Sequence, residues 1–103
     1  MKVKVTKQAR AQLRQKSNYI RYTFGLRPSS EFVQKVRRAY KLLVSNPFLG
    51  PVEPLMADRP VQYRSIVLNR LNKMVYYIND DVIEIVAFWD TRREPKQQAD
   101  QIE

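Results

Sequence analysis

Three strand-like segments in the second half of the chain decide the fold: Tyr63-Arg-Ser-Ile-Val-Leu68, Lys73-Met-Val-Tyr-Tyr-Ile78 and Val82-Ile-Glu-Ile-Val-Ala-Phe-Trp89. They are rich in β-branched and aromatic residues, and short polar turns separate them. This spacing predicts an antiparallel meander of three strands. The third segment is apolar apart from Glu84, so it is expected at the centre of the sheet, covered on both faces.

The residues before the meander predict one strand and two helices. Residues 1–5 alternate between apolar and polar side chains, which is typical of a short strand. From Lys7 to Phe24 apolar residues recur at helical spacing, with Thr6 as the predicted N-cap. Residues 25–28 interrupt this pattern. A second helix is expected to begin at a cap on Ser29 or Ser30 and to end at Asn46-Pro47.

The sequence therefore predicts an α+β fold with the order β-α-α-β-β-β, in a single domain of residues 1–103. An antiparallel helical hairpin should pack on one face of a small, mostly antiparallel sheet and leave the other face open. Residues 48–60 are expected to form a loop. Residues 96–103 are polar and should be a frayed tail or a short helix.

Composition limits the chemistry and indicates the kind of partner. The chain has 103 residues, 44% of them hydrophobic, with no cysteine and no histidine. Disulfides are excluded, and neither a metal nor another cofactor is expected. No signal-like or membrane-spanning apolar run is present, so we expect a cytosolic protein without membrane contact. The net charge of +9 favours a polyanionic or acidic partner.

Strand register predicts which side chains share a face of the sheet. Turns at residues 70–71 and 80–81 would pair Tyr77 with Arg64 and Glu84, and Lys73 with Leu68 and Phe88. The predicted working face then carries Arg64, Ile66, Lys73, Tyr77, Glu84 and Phe88. The opposite face is more apolar and is expected to pack against the helices; it carries Val67, Met74, Tyr76, Ile78, Ile83, Ile85, Ala87 and Trp89.

Several motifs occur in a defined order along nearly the whole chain: the leading strand, a helical hairpin ending in Asn46-Pro47 before Gly50, Tyr63-Arg64, Met74-Val-Tyr-Tyr-Ile78 and Thr91-Arg-Arg-Glu-Pro95. This set resembles the RelE/ParE superfamily of toxins from bacterial type II toxin–antitoxin systems, which includes plasmid stabilisation proteins. The resemblance implies a growth inhibitor that a cognate antitoxin, small and acidic, neutralises.

The resemblance also suggests site residues. RelE-like members are ribosome-dependent mRNA endonucleases, whereas ParE-like members poison DNA gyrase and lack the nuclease residues. Arg64, Lys73 and Arg93 match basic positions of the RelE-like pattern. Ile66 stands in place of a second lysine, and the C-terminal tyrosine is missing, with Ala99 near its position. The remaining predicted substrate-binding residues are Arg70 and Arg92.

RNA cleavage through the 2′-hydroxyl needs a base, an acid and cations that stabilise the phosphorane. Without histidine, the candidates for base and acid are Tyr77, Lys73 and Glu84. Lysine and tyrosine have ordinary pKa values near 10, so either pKa would have to be lowered. In the simpler structural interpretation, Arg64 or Lys73 pairs with Glu84 and Tyr77 is a half-buried strand aromatic. Arg92 and Arg93 are then solvated charges, and Trp89 lies in the core.

Of three functions, the sequence favours a metal-independent endoribonuclease that cleaves mRNA on the ribosome, because three cationic positions persist on or beside the predicted working face. The lost positions favour a non-catalytic gyrase inhibitor, and the third alternative is a basic nucleic-acid-binding domain. In either toxin the antitoxin is expected to contact the basic face or to add a strand at the open sheet edge.

Overall fold

The structure, a computed structural model, describes residues 1–92 and 95–102. Its elements are β1 (Lys2–Val5), α1 (Lys7–Phe24), α2 (Leu26–Ser45), a 3-10 turn (Pro54–Met56), β2 (Arg64–Val67), β3 (Asn72–Asn79), β4 (Val82–Asp90) and α3 (Pro95–Asp100). The predicted α+β fold and its element order are confirmed. The loop additionally contains the 3-10 turn, and a short helix follows β4.

The four strands form one sheet in the order β1-β4-β3-β2. β1 runs parallel to β4, while β2, β3 and β4 form the predicted antiparallel meander. β4 is central and most of its side chains are buried, as its apolar sequence predicted. The edges of the sheet are β1 and β2.

The helical hairpin differs from the prediction at its turn. Thr6 caps α1 by accepting a hydrogen bond from the amide of Ala9 at 3.1 Å. α2 begins at Leu26, so the predicted start at Ser29 or Ser30 is wrong. Gly25, at φ 105°, ends one helix and begins the next. Pro28 is tolerated in the first turn because its missing amide hydrogen has no intrahelical acceptor there. None of the described helices is long and apolar enough to cross a membrane.

Two apolar cores lie on opposite faces of the sheet, so the expectation of an open second face is wrong. The first core joins the helices to the sheet, and its largest side chains are Phe32, Leu43, Met74, Tyr76, Ile83, Ile85 and Phe88. The second core consists of Met56, Tyr63, Val75, Val86, Ala87, Trp89, Ala99 and Ile102. The 3-10 turn and α3 supply apolar side chains that cover this face.

The predicted register is partly wrong, and two local features explain the difference. The turn after β2 spans residues 69–71, because Leu68 N donates to Asn72 O at 2.9 Å, so Arg64 pairs with Tyr76 and not with Tyr77. Tyr77 pairs with Glu84 as predicted, but a bulge between Val75 and Tyr76 shifts the rest of this hairpin.

The register changes move several side chains to the other face of the sheet. Arg64, Ile66 and Phe88 lie on the helix side, whereas Val67, Ala87 and Trp89 lie on the opposite side with Lys73, Tyr77 and Glu84. We call this second side the outer sheet face. The predicted working surface is therefore divided between two faces.

Candidate functional site

Lys73 on the outer sheet face is held in a partly buried ion pair. Its Nζ lies 2.9 and 3.0 Å from the two carboxylate oxygens of Glu53, and 5.0 Å from the ring centroid of Trp89. Glu53 is 2% exposed and also accepts a hydrogen bond from Ser65 Oγ at 2.7 Å. Because the ammonium group already pairs with a carboxylate, its positive charge attracts a phosphate less strongly.

Sequence reasoning missed Glu53, which it assigned to a loop. The segment around it runs alongside β2 like a short extra strand: Glu53 N donates to Tyr63 O at 2.8 Å, and Val52 forms a bridge with Arg64. The simpler interpretation predicted that Lys73 forms an ion pair with Glu84. Lys73 does form an ion pair, but its partner is Glu53. The available sequence signal was the acid placed between Pro51 and Pro54, and acids in loops are usually exposed.

Tyr77 and Glu84 form a second polar pair on the outer sheet face. The Tyr77 hydroxyl donates to Glu84, and the ring packs edge-on against Tyr63 with centroids 5.4 Å apart. The hydrogen bond to Glu84, followed by burial, raises the pKa of Tyr77 to about 12. A tyrosine acting as general base needs a lowered pKa, so the shift is in the opposite direction.

Arg64 lies on the helix side of the sheet and holds the turn that follows α2. Its Nη1 donates to Gly50 O at 2.9 Å, and its guanidinium carbon lies 5.0 Å from the ring centroid of Phe48. Tyr76 holds the same turn, accepting a hydrogen bond from Gly50 N at 3.0 Å and donating to Pro47 O at 2.7 Å. These contacts give Arg64 a structural role, away from Lys73 and Tyr77.

Arg70 and Arg92 come together at the carboxyl end of β4. Thr91 ties the β2–β3 turn to this end, since its Oγ1 donates to Arg70 O at 2.8 Å and its amide to Leu71 O at 2.9 Å. The Arg92 guanidinium contacts Asp90 at 3.1 and 3.2 Å and holds the pKa of that carboxyl below its usual range. Arg93 lies outside the described residues.

A groove of about 370 Å³ opens beside this end of the sheet. Of the predicted site residues Arg92 lines it, together with side chains from α1, the β2–β3 turn and α3 that include Gln12, Lys16, Tyr19, Asn69, Leu71 and Gln98. Amides, cations and aromatic rings of this kind suit binding more than bond breaking. Within residues 1–92 and 95–102, no three acidic side chains are grouped so that they could hold a metal ion.

Comparison with solved structures identifies similar folds. A chain of the chromosomal ParDE toxin–antitoxin system from P. aeruginosa is 22% identical, with a TM-score of 0.69 over 87% of this chain and 95% of that one. The YoeB dimer from Staphylococcus aureus is 20% identical, with a TM-score of 0.60 over 90% and 98%. A YoeB/ParE toxin from Agrobacterium tumefaciens is also 20% identical, with a TM-score of 0.60 over 87% and 98%.

The sequence comparison gives the family. No curated protein sequence matches the chain. The family model of the ParE toxin of the type II toxin–antitoxin system parDE matches residues 3–95, nearly the whole chain. The resemblance to RelE/ParE toxins is therefore confirmed, and the chain belongs to the ParE toxin family of type II toxin–antitoxin systems.

Proposed function

We propose that this toxin arrests growth by binding DNA gyrase and that it does not cleave RNA. The observation that carries the proposal is the ion pair between Lys73 and the buried Glu53 at 2.9 Å. A nuclease of the RelE-like type would need Lys73 as a free cation beside the scissile phosphate. A toxin that acts by binding alone does not need it.

Two further observations support a non-catalytic mechanism. Tyr77 has a pKa raised to about 12, so at neutral pH it is a protonated phenol already engaged by Glu84. Arg64 is bound to Gly50 on the other side of the sheet, where it cannot stabilise a phosphorane together with Lys73. The four described candidates for catalysis thus do not converge on one reacting atom; they are Arg64, Lys73, Tyr77 and Glu84.

Ribosome-dependent mRNA cleavage remains the second candidate, and one feature favours it. Arg70 and Arg92 are both exposed and are brought to the same end of the sheet through Thr91. Two arginines at one strand end are suited to holding a phosphate backbone. In this alternative these residues would position mRNA, and the catalytic groups would include Arg93.

Purified toxin separates the two candidates in two parallel assays. In the first, gyrase supercoils a relaxed plasmid with and without the toxin; in the second, primer extension maps cuts in an mRNA under translation in a reconstituted system. We expect inhibited supercoiling or trapped gyrase–DNA cleavage complexes, with an uncut mRNA. Cuts that depend on translation, with supercoiling unaffected, would overturn the proposal in favour of the nuclease.

A conservative variant tests the same point in cells. Tyr77→Phe removes the hydroxyl group but keeps the ring against Tyr63, so a binding toxin should retain its growth arrest. Tyr63→Phe is a matched control that removes a hydroxyl from the neighbouring ring. Loss of toxicity in Tyr77→Phe alone, with unchanged thermal stability, would indicate that the hydroxyl takes part in chemistry.

Membership of the family implies a cognate antitoxin, and we infer that it binds by adding a strand at β1. The outer side of β2 is already occupied near its start by the bridge between Val52 and Arg64, whereas β1 pairs with β4 on its inner side. β1 also exposes Lys2 and Lys4, which suit an acidic segment. The amides of Lys2 and Thr6 donate to β4, so by strand alternation the amide of Val3 faces the outer edge. Val3→Pro should therefore weaken antitoxin binding strongly, and Lys4→Gln only slightly.

A further inference from the structure

The charge of the chain is divided unequally between its two halves. Residues 1–45, which form β1 and the helical hairpin, contain twelve basic side chains and one acidic side chain, Glu31. Residues 46–103 contain seven basic and nine acidic side chains. The positive charge of the protein therefore comes from the helical half, while the half that contains the meander is slightly acidic.

Seven of these cations form two rows on the side of the helices that faces away from the sheet. In α1 they follow at intervals of three, four and seven residues, which places them on one side of a helix. In α2 they lie opposite the buried stripe that includes Phe32, Val36 and Leu43. We call this surface the outer helical face, and it consists of Lys7, Arg10, Arg14, Arg21, Arg37, Arg38 and Lys41.

The cations of the outer helical face are paired with none of the acidic side chains that the structure describes. All seven residues are exposed. Among residues 1–92 and 95–102 none of the seven forms an ion pair, and the local acid Glu31 is paired with Arg27 at 3.3 Å. Uncompensated like charges repel one another, so a surface of this kind is stabilised when an extended polyanion binds to it.

The dimensions of the two rows fit a rigid polyanion. At about 1.5 Å per residue, the row from Lys7 to Arg21 is roughly 21 Å long. Duplex DNA carries one negative charge per ~1.7 Å, so a duplex lying along this row presents about a dozen phosphates. Packed helices lie about 8–10 Å apart, close to the ~12 Å width of a major groove. The row on α1 can therefore follow one strand that borders a groove, while the shorter row from Arg37 to Lys41, roughly 6 Å long, contacts the other strand at one or two phosphates.

We propose that the outer helical face binds the phosphate backbone of duplex DNA without reading its sequence. Contacts to phosphates position a protein on DNA, whereas contacts to base edges give specificity. The binding does not depend on which target the toxin inhibits, because it uses the side of the molecule remote from the meander. A disordered acidic peptide is the competing occupant, because the same helices expose Tyr22 and Leu42, which can serve as apolar anchors; the comparison with antitoxin binding below distinguishes the two.

Fluorescence anisotropy with a labelled 20-base-pair duplex of arbitrary sequence tests the proposal, measured from about 0.05 to 0.2 M salt. The test variant combines Arg14→Gln with Arg38→Gln, one from each row. The control combines Lys2→Gln with Lys4→Gln in β1, which removes the same charge from the same half of the chain. All four residues are exposed, and circular dichroism with thermal unfolding checks that both variants fold.

Loss of two phosphate contacts should weaken binding at least about tenfold at 0.1 M salt and reduce the slope of log K against log salt by about 1.8. The control should retain the wild-type slope within about half a unit. Equal losses in both variants would overturn the proposal, because net charge alone would explain them. Tighter binding of single-stranded RNA of equal length would also overturn it, and so would a test variant that lost antitoxin binding but kept its DNA binding.

Discussion

Removal of the Glu53 carboxylate should destabilise the folded protein. Glu53→Ala leaves the ammonium of Lys73 over Trp89 without its partner. Removing one member of a fully buried pair costs about 3–5 kcal/mol, but Lys73 is 21% exposed and can be partly solvated. We therefore expect the free energy of unfolding, measured in urea, to fall by about 2 kcal/mol.

The double variant Glu53→Gln with Lys73→Met separates the charge effect from packing. It removes both charges and keeps similar volumes, so it should recover most of the stability lost in Glu53→Ala. The prediction is refuted if Glu53→Ala costs less than about 1 kcal/mol, since the pair would then behave like an exposed salt bridge.

Tyr77 should make stability fall in alkaline solution. An unperturbed phenol has a pKa of about 10, and Glu84 raises that of Tyr77 to about 12 in the folded protein. The folded state therefore holds a proton that the unfolded state releases between these pH values. The contribution to stability is complete below pH 10 and is lost as the pH rises to about 12.

Nuclear magnetic resonance of the tyrosine ζ-carbons measures this titration directly. In Glu84→Gln the negative acceptor is removed, so the pKa of Tyr77 should move back toward 10. Tyr40 serves as the control: burial raises its pKa to about 12 as well, but Glu84 is not among the causes. If Tyr77 titrates near pH 10 in the wild type, the strong hydrogen bond to Glu84 does not exist.

At the scale of elements, the turn between α2 and the loop depends on a glycine. A Cβ at Gly50 would lie 2.6 Å from Ser65 O and 2.9 Å from the Tyr76 hydroxyl, so Gly50→Ala must push the turn away from β2. Overpacking of this kind costs about 2 kcal/mol. Thermal unfolding of Gly50→Ala should show this loss, while Leu49→Ala at the exposed neighbouring position should stay within about 0.5 kcal/mol of the wild type.

Periodicity predicted the elements that depend on local pattern. The bounds of α1, its Thr6 cap, the end of α2 before Asn46 and the central place of β4 all follow from apolar spacing and capping chemistry. The start of α2 was missed because Ser29 resembles a cap. In the structure its hydroxyl donates instead to Ser17 O on α1 at 3.0 Å, a tertiary contact that sequence alone does not show.

Register and site geometry were less predictable because single residues decide them. One extra residue in the turn after β2 places Arg64 on the face opposite Lys73. The bulge in the β3–β4 hairpin places Trp89 on the same face as Lys73. The partner of Lys73 comes from a loop twenty positions earlier in the chain. Strand alternation carries no information about a loop that folds back onto a sheet, so Glu53 had no pattern to mark it.

At the scale of the whole molecule, one sheet separates two surfaces of different electrostatic character. The helices contribute the larger core and the cations of the outer helical face. On the meander, by contrast, the positive charge of Lys73 is already paired with Glu53. The outer helical face lies on the helices and not on the predicted working face of the strands. Under the proposed DNA binding, the toxin holds a polyanion on this side while the sheet remains available to a protein partner.

The second core should respond to disruption separately from the first. Ala99 on α3 is 5% exposed and packs in the same cluster as Trp89, the single tryptophan of the chain. Ala99→Asp buries a carboxylate without a partner, which favours release of α3 from the sheet over burial of the charge. We expect the Trp89 fluorescence maximum to shift to the red at temperatures where the helical circular dichroism signal is still native.

Gln97→Asp provides the matched control, because it introduces the same charge at an exposed position of α3. It should leave the fluorescence maximum unchanged, since the new carboxylate stays in water. The helix-side core contains Phe32, Leu43 and Tyr76 and none of the α3 side chains, so it should persist in Ala99→Asp. If fluorescence and circular dichroism instead lost their native signals together, the two cores would form one cooperative unit, and α3 would be as necessary to the fold as the helical hairpin.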